Sequence, residues 1–127
     1  MYDYIVKELP ILIEQHFPVT SMRSISGHSM GGHGAITIGL KNPQQYQSIS
    51  AFSPICNPMN CPWGQKAFNG YLGSDQTSWA EYDSCELMKI SMTKVPMLVD
   101  QGTEDNFLVE QLKPESLIEA AKAQQYP

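Results

Sequence analysis

The chain has 127 residues, 42% hydrophobic and 17% charged, which suits one domain with a modest core. A net charge of −5 without any basic block excludes a nucleic-acid surface, and no run reaches the ~18 apolar residues of a membrane span. Residues 1–10 mix Asp, Lys and Glu among the apolar residues and do not read as a secretory signal.

In chain order, residues 4–17 carry an apolar stripe of helical spacing at Ile5, Leu9, Leu12, Ile13 and Phe17. Pro10 either marks an early turn of that helix or kinks it, and Pro18 lies just past its end. Residues 22–26 read as a short strand running into Gly27. Residues 30–40 form a second helix, closed by Asn42-Pro43, and residues 47–53 a second strand. A long irregular stretch, 54–79, follows, with a helical candidate at 65–71. Residues 82–90 are a further helix. Residues 95–100 are a third strand, apolar on both faces until its end, with Pro96 near the start, where proline is tolerated. Residues 114–126 are the last helix, with Pro114 in its first turn and Leu117, Ile118 and Ala121 on one side. Strands alternating with helices predict an α/β protein with a parallel sheet. Three parallel strands leave two bare edges, and a helix stands before the first strand. The expectation is therefore a single partial domain over 1–127, the middle or C-terminal half of a larger sheet.

Gly27-His28-Ser29-Met30-Gly31 fits G-x-S-x-G. Three fixed residues at about 7% each give roughly 0.04 chance matches in such a length, so the match is informative. A strand precedes it and a helix follows, the corner that the chemistry needs. Ser29 would stand at the tip of a strained turn as the nucleophile, with Gly27 and Gly31 beside it because side chains there would collide. Gly32, Gly34 and Ala35 would let the helix pack close to its strand. The backbone N–H of Met30, next in the chain, would supply one oxyanion donor at a helix N-terminus.

At these residues the sequence resembles the α/β-hydrolase superfamily, and Gly27-His28-Ser29-Met30-Gly31-Gly32-His33-Gly34-Ala35 is similar to the esterase D group. The blocks Ser50-Ala51-Phe52-Ser53-Pro54, Cys61-Pro62-Trp63-Gly64-Gln65-Lys66-Ala67-Phe68 and Gly70-Tyr71-Leu72-Gly73-Ser74-Asp75 narrow the resemblance to the S-formylglutathione hydrolase family. That resemblance implies a partial α/β-hydrolase fold lacking its first strands and its last strand and helix. It also implies a cytoplasmic homodimer that hydrolyses a glutathione thioester in formaldehyde detoxification, without metal or cofactor.

In this superfamily the triad order is Ser, then Asp or Glu, then His. The loop Gln101-Gly102-Thr103-Glu104-Asp105-Asn106-Phe107-Leu108 resembles the family's acid loop, and Asp105 is the matching carboxylate. Asp100, at the strand end, and Glu104 are its rivals. The histidines are His16, His28 and His33, all before the acid, so the resemblance implies a base beyond Pro127 and a second oxyanion donor before Met1. His28 should point away from the nucleophile, and His33, within the following helix, should pack against neighbouring elements. No ligand spacing among His28, His33 and the cysteines suggests a metal.

Cys56, Cys61 and Cys85 match neither a zinc nor a thioredoxin spacing and read as reduced packing or loop thiols. Cys56 and Cys61 fall in the block that the resemblance sets near the active-site mouth, where Trp63 is the candidate for contact with substrate. Two other readings stay open: a general acyl esterase of the same fold, and an inactive partner-binding fragment. The isolated 127 residues are expected to lack hydrolase activity.

Overall fold

The alternating apolar runs resolve into a three-stranded parallel sheet in the computed structural model, which describes every residue from Met1 to Pro127. Strands β1 (Ile25–His28), β2 (Ile49–Phe52) and β3 (Met97–Asp100) lie side by side in that order. Ile25, Ile49 and Met97 share one row of the register, and His28, Phe52 and Asp100 share the last. All three strands therefore end level, and the loops that follow them leave one edge of the sheet. In open parallel sheets that edge is where ligands bind.

Five α-helices accompany the sheet: α1 (Leu9–His16), α2 (Met30–Lys41), α3 (Pro62–Leu72), α4 (Ser84–Ile90) and α5 (Pro114–Ala123). Alternation along each strand sends Ile49 and Ala51 to one face, where they meet Ala35, Ile36 and Leu40 of α2, Met88 of α4 and Leu117 of α5. Gly39 makes that approach possible, since a Cβ there would lie 2.4 Å from Ile49 Cδ1. The opposite face stays open, with Phe52 41% and Leu98 54% exposed. β3 is thus apolar on both faces as expected, but only one of them is covered.

Several boundaries move, each for a local reason. β1 begins at Ile25 rather than Met22 and runs through Gly27 to His28, because Gly27 and His28 pair with Ala51 and Phe52. A glycine there reads as a break in sequence, yet it is a ladder residue in the sheet. The first helix opens with a π-helical stretch, Tyr4–Glu8, before α1. Pro10 cannot donate to the preceding turn, and its ring crowds the carbonyl four residues back, so the wider turn ahead of it relieves the clash. The α1 stripe is not buried: Leu12, Ile13 and Phe17 are exposed, and Leu9 and Ile13 line a groove of about 940 Å³ between α1, β1 and α2.

The stretch expected to be irregular holds α3, with Pro62 at its first position and Cys61 as N-cap, and a 3₁₀ segment at Gln76–Tyr82. In α5 Pro114, Leu117 and Ala120 are buried, Ala121 packs against the core, and Ile118 lines a groove with Leu117 and Ala121 but stays half exposed, so the expected side is covered only in part. No helix is long and apolar enough to cross a membrane.

Candidate active site

Ser29 occupies the single residue between β1 and α2, with φ 55° and ψ −117°. A non-glycine residue at positive φ carries strain of about 1–3 kcal/mol, sustained only where the surroundings enforce it. Here the end of β2 enforces it. Ser29 N–H donates to Phe52 O at 2.9 Å, and Ile55 N–H donates to Ser29 O at 3.4 Å. A Cβ on Gly27 would sit 2.1 Å from Gly31 O, so only glycine admits so tight a corner. Gly32 is pressed against Pro54, 3.0 Å from a built Cβ to the proline Cβ. Gly31 and Gly34 differ from expectation: neither Cβ would meet anything within 4 Å. At Gly31 it is the backbone, not the missing side chain, that fills the space beside Gly27.

Met30 is the first residue of α2, so its N–H has no acceptor within the helix, and it lies beside Ser29 at the positive end of twelve aligned peptides. Its side chain is exposed.

Asp105 is half-buried in the loop after β3. Its Oδ1 accepts from Phe107 N–H at 2.8 Å, and Leu108 N–H donates to its carbonyl at 3.1 Å. Asp100 is exposed at the strand end, where its carbonyl accepts from Ser53 N–H at 2.8 Å, and Glu104 is fully turned to solvent on the loop. Trp63, on the first turn of α3, reaches the same loop. Its ring centroid lies 4.7 Å from that of Phe107 at 49°, and its N–H donates to Gln111 Oε1 at 3.0 Å. Ser29, Trp63 and Asp105 therefore lie on the three segments that follow β1, β2 and β3 from one edge of the sheet. Sequence reasoning assigned nothing to Phe107 or Gln111. An aromatic two residues after an Asx-turn aspartate is a signal for the first; nothing local marks the second.

The histidines are dispersed. His16 ends α1, and His28 is exposed at the last residue of β1. His33, on α2, packs against neighbouring elements as expected: its Nε2–H donates to Tyr82 O at 2.7 Å, and its ring lies 6.4 Å from that of Phe68 on α3. Burial holds its pKa below the usual imidazole value, against the smaller opposing pull of the Tyr82 carbonyl and the Asp83 carboxylate.

The three thiols are free and buried. Burial pushes Cys56 up to about 12 and raises Cys85 and Cys61 as well. Cys85 Sγ–H donates to Cys56 O at 3.2 Å, while Cys61 Sγ accepts from Gly64 N–H at 3.4 Å as the cap of α3. Such protonated thiols lack the thiolate that reactive cysteines need. No three His, Cys, Asp or Glu side chains converge on a point that could hold a metal ion.

The chain matches the Esterase family model over residues 1–127. It is 53% identical to S-formylglutathione hydrolase of Rattus norvegicus, over 100% of this chain and 46% of that protein. It is also similar to the structure of an S-formylglutathione hydrolase from Agrobacterium tumefaciens, with a TM-score of 0.91 and 48% identity over 96% of this chain and 44% of that one. A third relative, the S-formylglutathione hydrolase FrmB of Staphylococcus aureus, aligns with a TM-score of 0.77 at 25% identity, covering 99% of this chain and 52% of its own. The chain spans about half the length of these relatives. With a family model that spans every residue and a parallel sheet that superposes on those hydrolases, the chain belongs to the esterase family and has an α/β-hydrolase-like fold.

Proposed function

We propose that this chain supplies the nucleophile and the acid of a serine hydrolase that cleaves S-formylglutathione to formate and glutathione. The observation that carries the reading is Ser29, held at φ 55° between a parallel strand and the N-terminus of α2, on the sheet edge that also bears Asp105. Ser29 Oγ attacks the formyl carbon, and the oxyanion is held by Met30 N–H and a second donor outside residues 1–127. The C–S bond breaks, glutathione leaves with a proton, and a formyl ester remains on Ser29. Water then cleaves that ester to formate.

The proton is carried by a histidine outside residues 1–127, since His16, His28 and His33 all precede the acid. Asp105 orients that histidine and stabilises its cation. Trp63, the sequence candidate for contact with substrate, packs its ring on Phe107 beside the Asp105 loop. The reaction as written uses no cofactor. The relatives named for this thioester and the Cys61-Pro62-Trp63-Gly64 block favour the substrate. The family resemblance extends to a cytoplasmic homodimer working in formaldehyde detoxification. The alternative is a broader carboxylesterase, favoured by the generality of the family model.

The test compares kcat/KM for S-formylglutathione and for an aryl acetate in the full-length enzyme. A strong preference for the thioester, abolished by Ser29→Ala, is the expected result. Equal rates on both would favour the broader esterase, and an active Ser29→Ala variant would overturn the mechanism.

A further inference from the structure

We infer that Trp63 and Phe107 form a clamp that holds the Asp105 loop against α3, which makes both of them positioning residues for the acid. The inference rests on the proposed role of Asp105. The bonds nearest the carboxylate are internal to its own loop. Phe107 N–H donates to Asp105 Oδ1 at 2.8 Å, Asp105 N–H donates to Gly102 O at 3.4 Å, and Leu108 N–H donates to Asp105 O at 3.1 Å. These fix the shape of the loop, with the carboxylate locked to residue 107, but they do not fix where the loop sits.

Phe107 is where the loop is gripped from outside. Its ring lies 4.7 Å from the Trp63 ring, and its carbonyl accepts from Gln111 N–H and Leu112 N–H, both at 3.0 Å. Gln111 is only 7% exposed, and its side-chain Oε1 accepts from Trp63 N–H at 3.0 Å. Leu112 O accepts in turn from Cys56 N–H at 2.8 Å, in the segment that follows Ser29's neighbour Ile55. One residue, Phe107, is thus tied through its N–H to the carboxylate, through its carbonyl to Gln111, and through its ring to α3. A triad acid must hold its base to a fraction of an ångström, and a displacement of about 1 Å can cost on the order of 100-fold in rate. Removing either ring takes away the side-chain contact between the loop and α3 and leaves these backbone bonds and Asp105 itself in place, so the loop shifts rather than detaches.

The pair is at the surface, Trp63 at 42% and Phe107 at 50% exposure, so truncation removes little core. The test uses the full-length enzyme with S-formylglutathione and the variants Trp63→Leu, Phe107→Leu, their double, and Trp63→Phe. Each leucine variant should lose about 10-fold in kcat with KM little changed. The double should be no worse than either single, and Trp63→Phe should recover most of the rate. The acid limb of the kcat/KM profile should move to lower pH, because a displaced carboxylate stabilises the imidazolium less.

A rise in KM with kcat and the acid limb in place would overturn the clamp and leave Trp63 a substrate wall. Additive losses, or none, would overturn it as well. Should Trp63→Leu unfold, Phe107→Leu, which leaves α3 intact, decides alone. Ser29→Ala run in parallel separates the two readings. If it stays active, the proposed mechanism fails; if it is dead while the leucine variants are unaffected, only the clamp fails.

Discussion

The corner at Ser29 and the loop at Asp105 stand on the same edge of the sheet but are held by different means. Backbone contacts shape the corner: two lie within four residues, Gly27 against Gly31 and His33 N–H on Ser29 O at 3.0 Å, and one comes from β2, Ser29 N–H on Phe52 O. The Asp105 loop is shaped by one Asx turn and packed on a side chain more than forty positions away, that of Trp63. A constraint written into adjacent residues is rigid and costs strain; one borrowed from a distant element can be adjusted by changing that element alone. The corner should therefore respond sharply at Gly27 and Ser29, and the loop should respond in degrees.

The largest effect is expected from Ser29→Ala in the full-length enzyme, a loss of about 10⁴-fold or more in kcat, with a fluorophosphonate probe labelling Ser29 and no other serine. Labelling elsewhere would remove the corner from the chemistry altogether. Asp105→Asn should come next, with the fold intact and a loss of about 10²–10⁴-fold, while Asp100→Asn and Glu104→Gln cost much less. Steady-state kinetics of the three variants checks this, and a greater loss for Asp100→Asn would move the acid to the strand end.

Stability separates the glycines of one motif. Gly27→Ala drives a Cβ to 2.1 Å from a carbonyl and should destabilise by about 3 kcal/mol or more, whereas Gly31→Ala should stay within about 1 kcal/mol. Denaturant midpoints of the two variants would show it, and equal losses would contradict the backbone account of the corner.

The smallest effect is a pH dependence at His33, which ties α2 to Tyr82. Burial lowers its folded pKa, so below about 6.5 the unfolded chain takes up a proton that the folded chain refuses. Stability should fall as pH drops through that value toward the depressed folded pKa. Melting curves at neutral and mildly acidic pH should differ less for His33→Gln than for the parent.

Much of the fold was legible because it depends on local pattern. The strand–helix alternation, α2 from Met30 onward, and Pro114 in the first turn of α5 follow from periodicity and from the missing N–H of proline, whereas Pro62 at the start of α3 was not read from the sequence. The errors fall where a partner decides. Gly27 reads as a break until β2 pairs with it, and Ile118 shares a side with Leu117 as read, but how far that side is covered depends on its neighbours, which leave Ile118 half exposed. The π-helical stretch before Pro10 is a response to a clash that no propensity describes.

The sequence by itself determined that a serine stands between two glycines at a strand-to-helix corner, with a carboxylate loop after a later strand and no histidine beyond it. Those are matters of order and spacing, and order and spacing are what a chain carries before it folds. Only the tertiary structure decided that the three loops leave one edge, that Ser29 is forced to positive φ by β2, and that Trp63 faces Phe107 rather than open solvent. Those depend on which strand lies beside which and on where distant rings come to rest. Contacts between residues far apart in the chain are set by the packing of the whole core.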